Sequence, residues 1–209
     1  MSTRLETLHE VRREGLRSAA ACLARAFERD PVWTKVFEGV PGDKVALWYE
    51  SAVRYCLVYG RVYASSDRFE GVVALLPGQH ADMTMWRMLR AGSMKSGMRM
   101  GLRMTMRATQ LLRIFRPLEV DRREHMRDRE YTYVLIVGVT PELQGQGFGG
   151  TLLRALNEES DLTGVPIYLE TETVGNRDMY EHLGFESLRE IALPVVNLPM
   201  WEMLREPAS

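Results

Sequence analysis

The run Leu143-Gln144-Gly145-Gln146-Gly147-Phe148-Gly149-Gly150 restricts the fold of this chain more than any other feature, because of what stands on either side of it. Before it lies the almost continuously apolar stretch Tyr131 to Val139, the pattern of a strand buried on both faces. After it, Leu152, Leu153 and Leu156 recur at helical spacing, which predicts an amphipathic helix from about Gly147 to Leu162. A glycine-rich turn that opens a helix presents backbone N–H groups with no intrahelical acceptor, at the positive end of the helix dipole. Phosphate or pyrophosphate is the ligand such a turn favours, and larger side chains would block its approach.

Two other phosphate-binding patterns compete for these residues. Gly145, Gly147 and Gly150 satisfy G-x-G-x-x-G, and Glu170 stands where a dinucleotide fold puts its ribose-binding acid. In that fold the first glycine follows the strand almost directly, whereas here Thr140 to Gln144 intervene. The short segments remaining after Glu172 are also too few for a doubly wound sheet, so an NAD(P) oxidoreductase is the minority reading. No Gly-Lys-Ser/Thr follows, which removes the P-loop.

The rest of the chain reads as one α/β domain spanning residues 1–209. A short strand is expected around Leu5 to Val11, and a helix over Leu16 to Phe27 that Asp30-Pro31 ends. A second helix is predicted over Asp43 to Tyr59, followed by a hairpin of Arg61 to Ser65 with Gly71 to Leu76. Strand Ile167 to Glu172, a short helix Arg177 to His182, and late strands near Ser187 to Leu193 and Met200 to Leu204 complete the pattern. Lys plus Arg number 27 against 28 Asp plus Glu, which gives no global reason to expect nucleic acid or an acidic membrane as partner. Cys22 and Cys56 sit in apolar helical surroundings and read as buried thiols. The charged N-terminus lacks a signal-like apolar run, so a cytoplasmic location is expected.

Gln144, Gly147 and Gly149 match the Gln/Arg-x-x-Gly-x-Gly/Ala signature, and Asn176-Arg177-Asp178-Met179-Tyr180-Glu181-His182-Leu183-Gly184-Phe185 matches N-x-x-x-Y-x-x-x-G-F. In this order and separation the two segments resemble the GNAT superfamily of acyl-CoA-dependent N-acetyltransferases, strongly over Tyr131 to Phe185 and more loosely at Phe27 to Trp33 and Pro199 to Arg205. The resemblance implies the GNAT fold, a mixed central β-sheet with a splayed strand pair flanked by helices. It implies acetyl-CoA as co-substrate, no metal, and direct transfer of the acetyl group to a primary amine of a small molecule. Val137 and Val139 would pair with the pantetheine arm. Gln144, Gly145, Gln146, Gly147, Phe148, Gly149 and Gly150 would receive the pyrophosphate, and Asn176 would hydrogen-bond the cofactor arm unless it caps the following helix. Gly138 is compatible with a bulge.

The chemistry asks for a base, since a free alkyl amine is protonated at neutral pH with a pKa of about 10.4. It also asks for an acid at the departing thiolate. By resemblance Tyr180 is the acid. The glutamate that the histone-acetylating branch carries on its central strand has Tyr133 in its place, so Glu170 is the favoured base, with Glu172 and His125 as alternatives. The methionines and arginines between Met83 and Met126 predict helices, divided at Gly92 and Gly97, that cover the sheet or form an acceptor lid or a homodimer contact. A non-catalytic acyl-CoA-binding module of the same fold is the competing class.

Overall fold

The computed structural model describes residues 4–92 and 102–208. Seven strands form one sheet in the order β1-β2-β3-β4-β5-β7-β6: β1 His9–Glu10, β2 Arg61–Ala64, β3 Gly71–Pro77, β4 Thr132–Val139, β5 Ile167–Thr171, β6 Glu186–Ala192 and β7 Pro199–Arg205. Every neighbouring pair is antiparallel except β4 with β5. A sheet with one parallel pair is not the doubly wound arrangement that a dinucleotide site would need.

Strand alternation divides the core. On β3, Val72, Ala74 and Leu76 face one layer with α1 Leu16–Ala26, α2 Pro31–Val36, α3 Gly42–Tyr59 and the long α5 Leu102–His125. Val73 and Leu75 face the other, with α6 Phe148–Thr163, α7 Val174–His182 and the 3-10 turn Arg4–Thr7. All of these β3 residues are fully buried, as a strand covered on both faces should be. Cys22 and Cys56 are buried free thiols.

Three local expectations change. The stretch expected as a strand from Leu5 to Val11 is a 3-10 turn plus the two-residue β1, because Leu5 and Leu8 turn inward to pack with α6 rather than alternate. Asp30-Pro31 starts a helix instead of only ending one: Asp30 Oδ1 accepts from the N–H of Val32 and Trp33, both at 2.9 Å, and Pro31 occupies the first turn of α2, where its missing N–H costs nothing. The Met and Arg region begins with α4 Met85–Arg90, capped by Thr84 and closed by Gly92 at φ 82°. Met94, Met98 and Met100, with Lys95, Gly97 and Arg99, lie outside the described residues. Among the described residues no helix is long and apolar enough to cross a membrane.

The bulge in β4 falls at Leu135, not Gly138. Ala74 pairs with Ile136 and Leu75 with Val134, which leaves Leu135 as the extra residue. Gly138 serves packing: a Cβ there would stand 2.7 Å from Ala26 Cβ and 3.1 Å from the Phe27 ring, so its hydrogen lets α1 lie close on β4. Gly138→Ala is therefore expected to destabilise the protein by about 1–3 kcal/mol through overpacking, read as a lower urea midpoint.

Candidate active site

The site begins where β4 and β5 part. They pair only at Thr132 with Ile167 and Tyr133 with Tyr168. The Leu135 bulge follows directly, and a bulge adds bend and twist to its strand. From Leu135 to Val139 the strand is half-buried while its β3 partners are buried, so the uncovered side is the one turned from β3 toward the opening. Val137 and Val139 both lie in this stretch.

The turn continues from β4. Gly145 and Gly147 have φ of 76° and 91°, left-handed values that strain any side chain. Gly147 is the N-cap of α6 without a capping side chain, and Thr151 N–H is bonded to Gly147 O at 2.9 Å. By helix geometry the N–H groups of Phe148, Gly149 and Gly150 have no acceptor inside the helix. The side chain of Gln144 donates to Val139 O at 3.1 Å and that of Gln146 to Glu142 O at 3.2 Å, so both glutamines brace the turn. Free amides, a dipole end and open space at Gly145 and Gly147 fit a pyrophosphate.

On the other lip, β5 leads into α7. Thr173 is the N-cap of α7, accepting from Asn176 N–H at 3.2 Å. The helix thus starts at Val174, and the capping role open to Asn176 belongs to Thr173; the Asn176 side chain is exposed. Tyr180 is buried edge-to-face against Phe185, with ring centroids 5.4 Å apart. Burial, then the charge of Glu172, pushes its phenol well above the usual range, so it stays protonated across physiological pH.

The carboxylates differ in their company. The Glu170 side chain is only 8% exposed, accepts from Tyr133 Oη at 2.8 Å, and lies 3.5 Å from Arg122 Nη1. Arg122 also binds Asp82 at 3.0 Å and stacks over the Tyr133 ring at 4.4 Å. Burial raises the pKa of Glu170, while Arg122 and the hydrogen bond from Tyr133 pull it back. Glu172, just beyond β5, is raised well above the carboxylate range by burial, then by a hydrogen bond with Asp30 and repulsion from its charge. Tyr49, buried with no partner for its hydroxyl among the described residues, feels the charges of both Asp30 and Glu172. Two carboxyls and two phenols, Asp30, Glu172, Tyr49 and Tyr180, therefore gather beside the opening. His125 is bonded through Nε2, at 3.0 Å, to Oε2 of Glu202, the residue paired with Glu170 across β5 and β7.

Asp30, Tyr49 and Arg122 escaped the sequence reading. Asp-Pro at a helix start was the available sign for Asp30. Nothing distinguishes Arg122 among the arginines of α5.

Glu202 carries a separate consequence. It is fully buried on β7, and burial, then Asp121, then Glu170 raise its pKa to about 8, with His125 and Tyr168 also facing it. Its folded value exceeds the ordinary 4.5, so the folded state binds the extra proton between these values and stability falls as pH rises from about 4.5 to about 8. Glu202→Gln removes that dependence. The variant is expected to gain stability over the parent at pH 8 but not at pH 4.5, measured by urea unfolding at both.

Comparison with known proteins agrees with this geometry. The acetyltransferase (GNAT) domain family matches residues 120–187, which contain β4, the turn, α6, β5 and α7. An uncharacterized N-acetyltransferase of Schizosaccharomyces pombe is 38% identical over 85 residues, a match covering 40% of this chain and 34% of that relative, so about a third of the relative's length is spanned. A Corynebacterium glutamicum structure described as histone acetyltransferase HPA2 and related acetyltransferase superposes with a TM-score of 0.63 at 16% identity, over 97% of this chain and 96% of its own. Arylalkylamine N-acetyltransferase 2 of Aedes aegypti gives 0.64 at 14% identity, over 96% and 98%. These structural likenesses are likenesses of fold. The local family match covers the parted strands and the glycine turn together, so residues 120–187 of this chain are similar to the GNAT acetyltransferase domain.

Proposed function

We propose that the protein transfers an acetyl group from acetyl-CoA to the primary amine of a small molecule, by direct attack with both substrates bound. The observation that carries this reading is the parting of β4 from β5 after Tyr133 and Tyr168, with the amide-rich turn continuing from one strand and Glu172 and Tyr180 following the other. Acetyl-CoA supplies the activated acetyl thioester. In this reading the backbone of Val137 and Val139 borders its pantetheine arm, the amides from Gly145 to Gly150 hold its pyrophosphate, and the exposed Asn176 amide is free to meet the arm. Gln144, Gln146 and Phe148 shape the turn.

The proton on the amine goes to Glu172. Asp30 Oδ1 accepts two N–H groups, and burial with the neighbouring Asp30 carboxylate makes Glu172 keep its proton to higher pH. A base lifted from the ordinary carboxylate range toward neutrality is better matched to an amine. Tyr180, held protonated, donates to the departing sulfur. Glu170 supports a second reading as base, since its pKa is also raised, but both of its oxygens are engaged by Tyr133 and Arg122. Beside Asp30 the rings of Phe27, Trp33, Phe37, Trp48 and Tyr49 pack within 6.4 Å of one another's centroids along the chain of contacts, an apolar wall suited to an amine with an apolar body.

The test is an amine panel spanning arylalkylamines, polyamines, aminoglycosides and peptide N-termini, followed by release of the CoA thiol and by mass spectrometry of the product. Acetylation of any one supports transfer. Tight acetyl-CoA binding with no product across the panel would favour a non-catalytic binding module.

A further inference from the structure

A cavity of about 240 Å³ lies between the 3-10 turn Arg4–Thr7 and the first turns of α6, lined by Arg4, Thr7, Leu8, Thr151, Arg154 and Ala155. Its two cationic walls come from opposite sides, Arg4 from the start of the described chain and Arg154 from the helix. Arg154 bends back along α6: a Cβ on Gly150 would stand 2.8 Å from its Nη1, so the guanidinium lies over the helix turn that follows the glycine run. No carboxylate pairs with Arg154 among the described residues. Arg4 meets Glu158 through Nε at 3.5 Å, too long for a hydrogen bond of good geometry, with the Arg4 side chain 69% exposed. Such a surface contact holds Arg4 weakly. Thr151 adds a hydroxyl on the same wall.

A guanidinium folded over a helix start without a carboxylate partner among the described residues, opposite a second one held only by Glu158, is a site suited to an anion. Resting on the cofactor reading above, the rest follows from the connectivity of CoA. The pantetheine arm leaves one end of the pyrophosphate toward the β4–β5 opening, so the phosphorylated ribose leaves from the other end, past the first turns of α6. We infer that Arg154, with Arg4 and Thr151, binds the ribose 3′-phosphate of CoA and makes the protein select CoA over 3′-dephospho-CoA.

Calorimetry with CoA and 3′-dephospho-CoA tests this, using the full chain and the Arg154→Gln and Arg4→Gln variants. The parent is expected to bind CoA about 10-fold or more tighter, the scale of a charge-assisted contact. Arg154→Gln should lower CoA affinity to near that of the dephospho form and leave the latter unchanged, with Arg4→Gln moving the same way by less. Both substitutions are at solvent-exposed positions, and a thermal melt checks their folding. Equal affinity of the parent for the two ligands would overturn the inference, as would an Arg154→Gln loss of the same size for both, which would put the guanidinium on the pyrophosphate instead. If the parent binds neither ligand, the cofactor reading fails and takes this site with it.

Discussion

Gly147→Asp is expected to weaken acetyl-CoA binding by about 100-fold or more while leaving a folded protein. Two effects act together. The backbone at Gly147 has φ 91°, where a residue with a Cβ costs roughly 1–2 kcal/mol, so the turn is pushed away from its amide-presenting shape. The new carboxylate also enters the positive end of α6 and repels a pyrophosphate there. Nothing stands within 4 Å of a Cβ at this position, so no core packing is lost. Gly164 provides a matched control, because it caps the other end of α6 at φ 72° and is equally open. Gly164→Asp should lower stability by a similar strain and leave calorimetric affinity for acetyl-CoA unchanged. Unaltered binding by Gly147→Asp would remove the turn from the cofactor site.

The second large effect is expected at Glu172. Glu172→Gln should lower kcat/KM by about 10²–10⁴-fold, the range of a lost general base, with acetyl-CoA affinity retained. The pH profile supplies the decisive sign. A base works when deprotonated, and the Glu172 pKa is raised by burial and by Asp30, so parent activity should be low in acid and rise as pH passes through that raised value. In Glu172→Gln this rise should disappear. Asp30→Asn should move it to lower pH, since the neighbouring negative charge is gone. If Glu170→Gln erases the rise and Glu172→Gln keeps it, the proton goes to Glu170 and Asp30–Glu172 is a structural pair.

Legibility in the sequence followed the range of the interactions involved. The turn, α6, β4 and β5 were readable because periodicity and glycine conformations are local, and the boundaries of α3 and the β2–β3 hairpin agree with their patterns for the same reason. The start of α7 was misread because Thr173 and Asn176 are both competent caps, and only the backbone direction decides between them. The bulge was misplaced because Gly138 offers two explanations for one glycine, and the contact that selects packing comes from α1, more than a hundred residues earlier. The meeting of Asp30 with Glu172, and of Arg122 with Glu170, depends on how α2 and α5 lie across the sheet, which no local pattern encodes.

The place of β7 has a bearing on the order in which this chain can be assembled. β5 holds β4 through only two residue pairs, whereas its register with β7 runs from Ile167 with Arg205 to Thr171 with Trp201. The strand that fixes one lip of the opening is therefore β7, which follows both β5 and β6 in the sequence and is inserted between them. During synthesis the glycine turn and α6 leave the ribosome well before β5 gains its main partner. Ligand capture by a nascent or truncated chain ending before Pro199 would meet a correctly shaped turn beside an unsupported strand whose free edge invites pairing with another molecule.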